Sequence, residues 1–222
     1  MKKQIVNITL ASMIALGAFS CKEKGADAGI SEAKEVAESA AAATNFTIDT
    51  EKSVINWKGS KPGKDHTGTI KMSSGTIAAV NRDISAGNFV IDMNSLTNTD
   101  MEGDGKANLE AHLKGTVEGK EKDFFNVNEF PTATFELTNV SGENGSIVVS
   151  GNLTIKETTQ NVEFPAVVSF PGDAIFLKSK PFTIDRTQWG VNFMSKSVFE
   201  ELKDKFINDE VELTIELHGK KA

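Results

Sequence analysis

Residues 210–217 read EVELTIEL, and apolar and polar side chains alternate at every position of this stretch. The apolar members are Val211, Leu213, Ile215 and Leu217. Successive side chains of a β-strand point to opposite faces, so the pattern predicts a strand with one face on a core and the other in water. Residues 133–140, ATFELTNV, show a similar alternation. The two stretches predict an antiparallel sheet.

Short runs of period two continue from residue 46 onward and are separated by glycine, asparagine and aspartate, as strands and their turns are. The predicted strands are residues 46–49, 54–58, 69–72, 76–80, 87–92, 133–140, 146–155, 161–169, 174–184 and 210–217. GENG at 142–145 and FPGD at 170–173 predict turns. Roughly eight to ten such strands indicate an all-β barrel or sandwich, and an eight-stranded barrel is filled by side chains or holds one small ligand.

Two segments follow a helical period instead. KANLEAHLK at 106–114 places Leu109, His112 and Leu113 on one side at spacings of three and four. SVFEELKDKF at 197–206 also has one apolar face. Its members are Val198, Phe199, Leu202 and Phe206. Both segments are predicted to be short helices that cap the barrel.

The N-terminus has the pattern of an export signal. Lys2 and Lys3 precede an apolar stretch at 5–19, which is too short and interrupted for a permanent membrane span of about 20 residues. Residues 16–21, LGAFSC, resemble the lipobox of bacterial lipoproteins, in which cleavage precedes a cysteine that carries diacylglycerol. Residues 1–20 are therefore predicted to be a lipoprotein signal peptide and Cys21 the lipid attachment site; the alternative is a plain signal peptide that is cleaved elsewhere.

Residues 21–44 are acidic and rich in alanine, with Ile30 and Val36 as the only large apolar side chains. Such a composition cannot bury enough surface to fold by itself. It predicts a flexible tether with at most a transient helix at 30–43, followed by a barrel domain at 45–219.

The net charge and the aromatic content limit the partners. The formal charge is −7, and it becomes two units more negative once Lys2 and Lys3 are removed. An acidic surface repels phosphate backbones, which excludes nucleic acid as an expected partner. The chain has 14 phenylalanines and no tyrosine, so its aromatic surface suits packing or an apolar ligand.

Metal and catalytic sites are not expected. DMEGDG at 100–105 imitates the start of a calcium loop, but the twelfth place is Ala111 and the bidentate carboxylate is missing, which indicates an exposed acidic loop. His66, His112 and His218 lack the spacing of zinc ligands. The chain has no G-x-S-x-G motif, and its single thiol is the predicted acylation site. We expect no catalytic residue, no metal and no cofactor other than a bound lipid.

Six segments carry a family resemblance. They are INWKGSKPGKDHTGTI (55–70), ISAGNFVIDMNSL (84–96), EAHLK (110–114), DFFNVNEFPTATFELTNV (123–140), VSGNLTIKETTQNVEFPA (149–166) and FTIDRTQWGVNF (182–193). In this order they resemble the YceI-like family of polyisoprenoid-binding, lipocalin-like periplasmic proteins. The chain departs from the family pattern by an insertion, GTVEGKE at 115–121, which bears on the cavity mouth.

The resemblance implies an eight-stranded antiparallel barrel of lipocalin type, with a helix over one end and a long isoprenoid chain inside. The residues that it implies as inward-facing ligand contacts are Phe89, Ile91, Phe135, Leu137, Phe164, Phe182, Ile184 and Phe193, with Trp189 near an end. His66 and Arg186 are implied polar contacts for a quinone or phosphate head group. A structural role for Arg186, paired with Asp185 or Asp65, is the favoured alternative.

The favoured function is non-enzymatic binding, transport or sequestration of a polyprenol, polyprenyl phosphate or quinone-like lipid at the bacterial cell envelope. The predicted location is a membrane, to which acylated Cys21 ties the protein facing the periplasm or the cell surface. The alternative is an envelope stress-related barrel whose interior is filled by side chains and which acts through protein partners. A hydrolase is a weaker third hypothesis. The ligand's identity, the direction of transfer and the oligomeric state, a dimer included, are left open.

Overall fold

The computed structural model describes residues 25–222; the predicted signal peptide and Cys21 lie outside the described residues. The strands are β1 (Ala26–Asp27), β2 (Gly29–Glu32), β3 (Thr44–Ile48), β4 (Val54–Lys61), β5 (Lys64–Val80), β6 (Asp83–Asn98), β7 (Thr132–Glu143), β8 (Ser146–Ile155), β9 (Thr158–Ser169), β10 (Ala174–Ser179), β11 (Phe182–Asp185) and β12 (Glu210–Lys221). Helix α1 (Gly103–Lys114) follows β6, and a 3₁₀ turn (Arg186–Trp189) follows β11.

The sheet closes on itself through β12, the EVELTIEL strand. On one side β12 pairs antiparallel with β10 and β11, and on the other with β3 and β4. Strands β3 and β4 share one position in the wall, and β10 and β11 share another. The remaining strands follow in sequence from β5 to β9, all antiparallel. The prediction of an all-β, eight-stranded antiparallel barrel is therefore confirmed.

The structure divides two parts of the sheet into strands differently from the prediction. The predicted strand 174–184 is divided into β10 and β11 at Lys180 and Pro181, because proline has no N–H to donate to a ladder. The predicted strands 69–72 and 76–80 are one strand, β5, whose pairing with β6 shifts register between Met72 and Ser74. A bulge interrupts the period-two pattern without ending the strand.

The two predicted turns lie at the same end of the barrel, because the start of β8 pairs with the end of β9. Asn144 and Gly145 have φ values of 55° and 78°, as the central residues of a type I′ hairpin turn require. Gly172 of the FPGD turn also has positive φ, at 63°. At this end Phe46 and Phe170 pack edge to face with ring centroids 5.7 Å apart.

Helix α1 confirms the first helix prediction and begins three residues earlier than predicted. Gly115 ends it in the left-handed conformation, where Gly115 N donates to His112 O and Thr116 N donates to Ala111 O. Glu110 fixes the helix to β6, because its Oε1 accepts hydrogen bonds from Thr97 Oγ1 and Asn98 N, both at 2.7 Å.

The second helix prediction, at 197–206, is wrong. The segment is a series of turns that leaves Val198 and Phe199 about half exposed. Lys203 has a positive φ of 48°, which a right-handed helix does not accommodate. Both ends of the segment are fixed: Ile207 N donates to Met194 O, and Asn208 N donates to Ser60 O. These tertiary contacts override the local helical period of a sequence too short to be helical alone.

The prediction of a free tether is wrong for residues 25–37, which we call the strap. In the strap β1 pairs parallel with β11, and β2 pairs antiparallel with residues 160–163 of β9. It fills the seam, the gap between β9 and β11 beyond the last β9–β10 pair at Ser179. The transient helix predicted at 30–43 is absent from this described segment, since Gly29–Glu32 is a strand and no helix follows before β3.

Side chains on the outer wall then hold the strap. Asn152 accepts from Lys34 N at 3.0 Å and donates to Lys34 O at 2.7 Å. Ala37 N donates to Leu137 O. The composition of the strap did not predict these contacts, because on the strap they use backbone groups, which every residue carries.

Candidate functional site

The barrel encloses one large apolar cavity of about 670 Å³. This volume falls within the roughly 300–1,000 Å³ of typical ligand pockets. All eleven residues predicted from the family resemblance to contact a ligand line it. They are His66, Phe89, Ile91, Phe135, Leu137, Phe164, Phe182, Ile184, Arg186, Trp189 and Phe193. Contact with a ligand itself stays a prediction.

Aromatic rings form one side of the cavity wall. Phe89, Phe135 and Phe164 follow one another across β6, β7 and β9 with ring centroids 6.1 and 6.0 Å apart, and Phe164 stacks on Phe182 at 4.4 Å. Gly151 on β8 makes room for the Phe135 ring, which a Cβ at that position would overlap. The result is a continuous apolar surface suited to a hydrocarbon chain.

Both tryptophans line the cavity. The 3₁₀ turn places Trp189, which is 1% exposed and donates its indole N–H to Leu153 O at 2.9 Å. Trp57 on β4 packs against Gly68 of β5. Its indole N–H is buried without a partner in the described part of the chain. A hydrogen bond therefore holds Trp189 in place, whereas packing holds Trp57.

The polar lining gathers at one end of the barrel, which we call the mouth. The β4–β5 turn, α1 and its following loop, and the loop 190–209 meet there. The polar and charged residues that line the cavity at the mouth are Ser60, Lys61, His66, His112, Arg186, Asp204, Lys205 and Asn208.

His66 stands at the mouth in a network with the end of β6. Its Nδ1 lies 3.0 Å from Asp100 Oδ2, while Asp100 Oδ1 accepts from Thr67 N at 2.7 Å. Asn98, fully buried, also donates to Asp100. Desolvation acts to raise the pKa of Asp100, but the hydrogen bonds from Thr67, His66 and Asn98 outweigh it and lower the pKa below its ordinary value.

His112 on α1 is a mouth residue that the site prediction missed. Its Nε2 lies 2.7 Å from Asp123 Oδ2, and its ring meets Phe124 and Phe193 edge to face at 5.1 and 5.0 Å. This ring thus joins α1 to the loop that follows it and to the loop 190–209. The only signal in the sequence was its place on the apolar side of the predicted helix with Leu109 and Leu113, which also line the cavity.

The insertion at 115–121 precedes the part of the mouth formed by Phe124 and Phe125. Its chain turns back at Val117, whose carbonyl accepts from Lys120 N. Beyond it, Phe125 N donates to Leu113 O, which returns the chain to α1. The insertion therefore extends the loop beside the cavity and leaves both phenylalanines in the lining.

Arg186 has the structural role that was the favoured alternative. Its guanidinium donates to the carbonyls of Val191 at 2.6 Å and of Ile207 and Asn208 at 3.1 Å, so it holds both ends of the loop 190–209. Burial lowers its pKa below the ordinary arginine value.

The salt bridge of Arg186 differs from the prediction, although the charge of the predicted partner Asp185 does act on it, to raise its pKa against the larger effect of burial. The pair is made with Asp209, at 3.4 Å. The carboxylate of Asp185 instead accepts from Thr187 N and Oγ1, and Asp65 lies 3.7 Å from Lys58.

The acidic motif at 100–105 is part of the mouth scaffold. Asp100 bonds His66 and Thr67, and Gly103 begins α1. Over residues 25–222, His, Cys, Asp and Glu side chains nowhere gather in a group of three that could hold a metal ion. Within the same range, the structure contains no helix with the length and apolar character needed to cross a membrane.

The YceI-like domain model matches residues 46–219, the whole barrel without the strap. The chain belongs to the YceI-like domain family. Its barrel is similar to the crystal structure of BcnA from Burkholderia cenocepacia, with a TM-score of 0.58 and 21% sequence identity over 77% of this chain and 98% of that chain. A polyisoprenoid binding domain from Saccharophagus degradans, implicated in plant cell wall breakdown, is similar with a TM-score of 0.57 and 15% identity over 80% and 98% of the two chains. Among curated proteins, none matches this chain.

Proposed function

We propose that this YceI-like chain binds a long-chain isoprenoid, or a similar amphiphilic lipid, inside the barrel and carries or sequesters it without chemical change. The single observation that carries the proposal is the apolar cavity of about 670 Å³ with polar groups at one end. An amphiphile has the same distribution, with a hydrocarbon chain and one polar end.

The energetics favour such a ligand. Burial of apolar surface contributes about 25 cal/mol per Å², and an isoprenoid tail in water exposes a large area of it. Side chains of the cavity wall cannot collapse onto one another, because the barrel strands fix their positions, so a chain that fills the cavity recovers their lost contacts. The polyisoprenoid binding domain of similar fold from Saccharophagus degradans supports this ligand class.

The cavity also weighs against the alternative of an interior filled by side chains. A filled eight-stranded barrel has no room for a ligand. Here an open volume extends along Phe89, Phe135 and Phe164. The hydrolase hypothesis gains no support from the mouth, where the buried basic group, Arg186, is engaged with loop carbonyls.

For the location, we propose the bacterial cell envelope, with the chain anchored through acylated Cys21. The strap bears on how close the barrel then lies to the membrane. Gly25 N donates to Glu212 Oε2 at 3.1 Å on the barrel wall. Three residues separate Cys21 from Gly25, and this distance spans about 14 Å at most. The anchor thus keeps the barrel at the membrane that supplies its ligand.

The test is mass spectrometry of the organic extract of the Cys21→Ser protein, in which no covalent lipid contributes to the spectrum. We expect one isoprenoid lipid per chain. A matched pair of variants on β7 controls for surface adsorption: Ala133→Phe fills the cavity, and Thr134→Phe adds the same ring at the neighbouring position, which is not part of the cavity lining. Lipid should be lost from the first variant only.

A folded protein without lipid, which takes none up from added polyprenols, would support the partner-binding alternative. Equal lipid content in both β7 variants would place the lipid outside the barrel.

A further inference from the structure

The head group of a ligand must lie at the mouth, because the polar lining of the cavity is there and the remaining wall is apolar. This inference rests on the proposed function and concerns the chemistry of that head group. The two histidines are the polar groups best placed to contact the head group, since both line the cavity and each is held in place by an aspartate.

Each histidine uses one ring nitrogen for its aspartate. His66 uses Nδ1 and His112 uses Nε2. Among residues 25–222 no hydrogen bond is made by the second nitrogen of either ring. In a neutral imidazole that donates to its carboxylate, the second nitrogen is an acceptor. The mouth therefore offers two oriented acceptors, which match a ligand hydroxyl that donates.

The charges at the mouth do not match a phosphate. Lys61 and Lys205 line the cavity, but the carboxylates of Asp204, Asp100 and Asp123 lie beside them or behind the histidines. Arg186 adds no net charge because it is paired with Asp209. With both histidines neutral the sum is therefore one negative charge, and with both protonated it is one positive charge. A phosphate monoester brings about −1.5 to −2 charges, which this mouth cannot balance.

Besides lysine, phosphate sites use the arginine fork and helix N-termini. Both of these are occupied or absent from this end. Arg186 is committed to the carbonyls of the loop 190–209. Helix α1 presents its C-terminal turn to the cavity, with His112 and Leu113 in the lining, and that end of a helix dipole repels anions.

We propose that the cavity selects isoprenoids with an uncharged hydroxyl head group over phosphorylated ones, and that the second ring nitrogens of His112 and His66 are the acceptors for the hydrogen bond that this hydroxyl donates. The selectivity is built from two features: two acceptors held by Asp123 and Asp100, and a mouth without net positive charge to spare.

The experiment compares three ligands of equal chain length: geranylgeraniol, its methyl ether and its monophosphate. Binding is followed by the fluorescence of Trp57 and Trp189, which both line the cavity, at two salt concentrations. We expect the alcohol to bind about tenfold more tightly than either the ether, which has no hydroxyl proton, or the phosphate. The His112→Phe variant keeps the ring edge against Phe124 and Phe193 but loses the acceptor, so it should weaken the alcohol and leave the ether unchanged.

The possible failures are distinguishable. Phosphate that binds as tightly as the alcohol, or an ether equal to the alcohol, overturns this inference and leaves the proposed function intact. If the folded protein binds none of the three ligands, the proposed function fails and this inference fails with it. An equal loss of all three ligands in His112→Phe would mean that the ring is needed for the shape of the mouth, and would also overturn the role given to its nitrogen.

Discussion

Phe164 and Phe182 stack face to face inside the barrel, with ring centroids 4.4 Å apart and ring planes within 6° of parallel. They lie on β9 and β11, which do not pair with each other: β9 pairs with β10, and β11 pairs with β12. The strap fills this seam by strand pairing, with Ala26 beside Phe182 and Ile30 beside Val162. The wall here is thus completed by the N-terminal strap, with the two rings on its inner face, and the first two predictions test the strap.

Asn152→Ala is expected to loosen the strap. The side chain of Asn152 makes two hydrogen bonds to the backbone of Lys34, and its loss leaves the N–H and the carbonyl of Lys34 without these partners. We expect the free energy of unfolding to fall by about 1–3 kcal/mol and amide exchange to rise within residues 25–37. The exposed Asn139 on β7 gives the control, since Asn139→Ala should change neither quantity. Unchanged exchange in Asn152→Ala would mean that strand pairing alone holds the strap.

A disulfide between positions 29 and 163 is expected to form and to stabilise the barrel. A Cβ at Gly29 would lie 3.5 Å from Glu163 Cβ, which is within the range of disulfide bridges. In a Cys21→Ser background, Gly29→Cys with Glu163→Cys should cross-link on oxidation and raise the unfolding free energy by about 2–4 kcal/mol over its reduced form. Each single-cysteine variant is the control. Failure to cross-link would contradict the placement of the strap in the seam.

Gly68→Ala is expected to destabilise the wall beside Trp57. A Cβ at position 68 would overlap the carbonyl oxygen of Thr97 and the Trp57 ring, and β5 cannot shift without breaking its pairing to β4 and β6. The cost should be about 2–3 kcal/mol in urea unfolding, together with a changed Trp57 emission. Gly59→Ala is the matched control on β4, because nothing lies within 4 Å of a Cβ there. Equal costs at both glycines would contradict this packing.

Alternating strands were predictable because a half-buried sheet imposes its period on the sequence. Strand β8 has the predicted bounds, and the alternation of EVELTIEL identified the strand that closes the barrel. The same reliance on the alternation of apolar and polar residues explains why the strap was not predicted. Asn152 and Asn161 are 5% and 0% exposed although they are polar, so they have the pattern of a wet face while the strap covers them.

The site was predictable only to the extent that its residues point inward. The family resemblance indicated eleven residues that do line the cavity, most of them apolar side chains on strands. His112 was missed as a site residue because its role depends on Asp123, which lies in a loop eleven residues away, and on Phe193 from a distant segment. Spacing along the chain carries no information about such an encounter.

Glu110→Gln tests the link between α1 and β6 through its dependence on pH. Desolvation acts to raise the pKa of Glu110, but the hydrogen bonds from Thr97 and Asn98, with Lys106 and Lys114 nearby, lower the pKa below its ordinary value of 4.5. The folded state therefore prefers the ionised form. The stabilisation is present above the unfolded pKa and is lost as the pH falls through the folded one.

We expect Glu110→Gln to lower the free energy of unfolding by about 1 kcal/mol at pH 7, a value reduced by the partial solvent screening of this side chain. The difference from the unmodified chain should shrink steadily below pH 4.5, because protonation then removes the same charge from Glu110. Urea unfolding at intervals from pH 7 to pH 3 measures it. Glu102→Gln, an exposed carboxylate just before α1, is the control and should show no such convergence. A pH-independent cost at position 110 would mean that the amide geometry, and not the charge, is responsible.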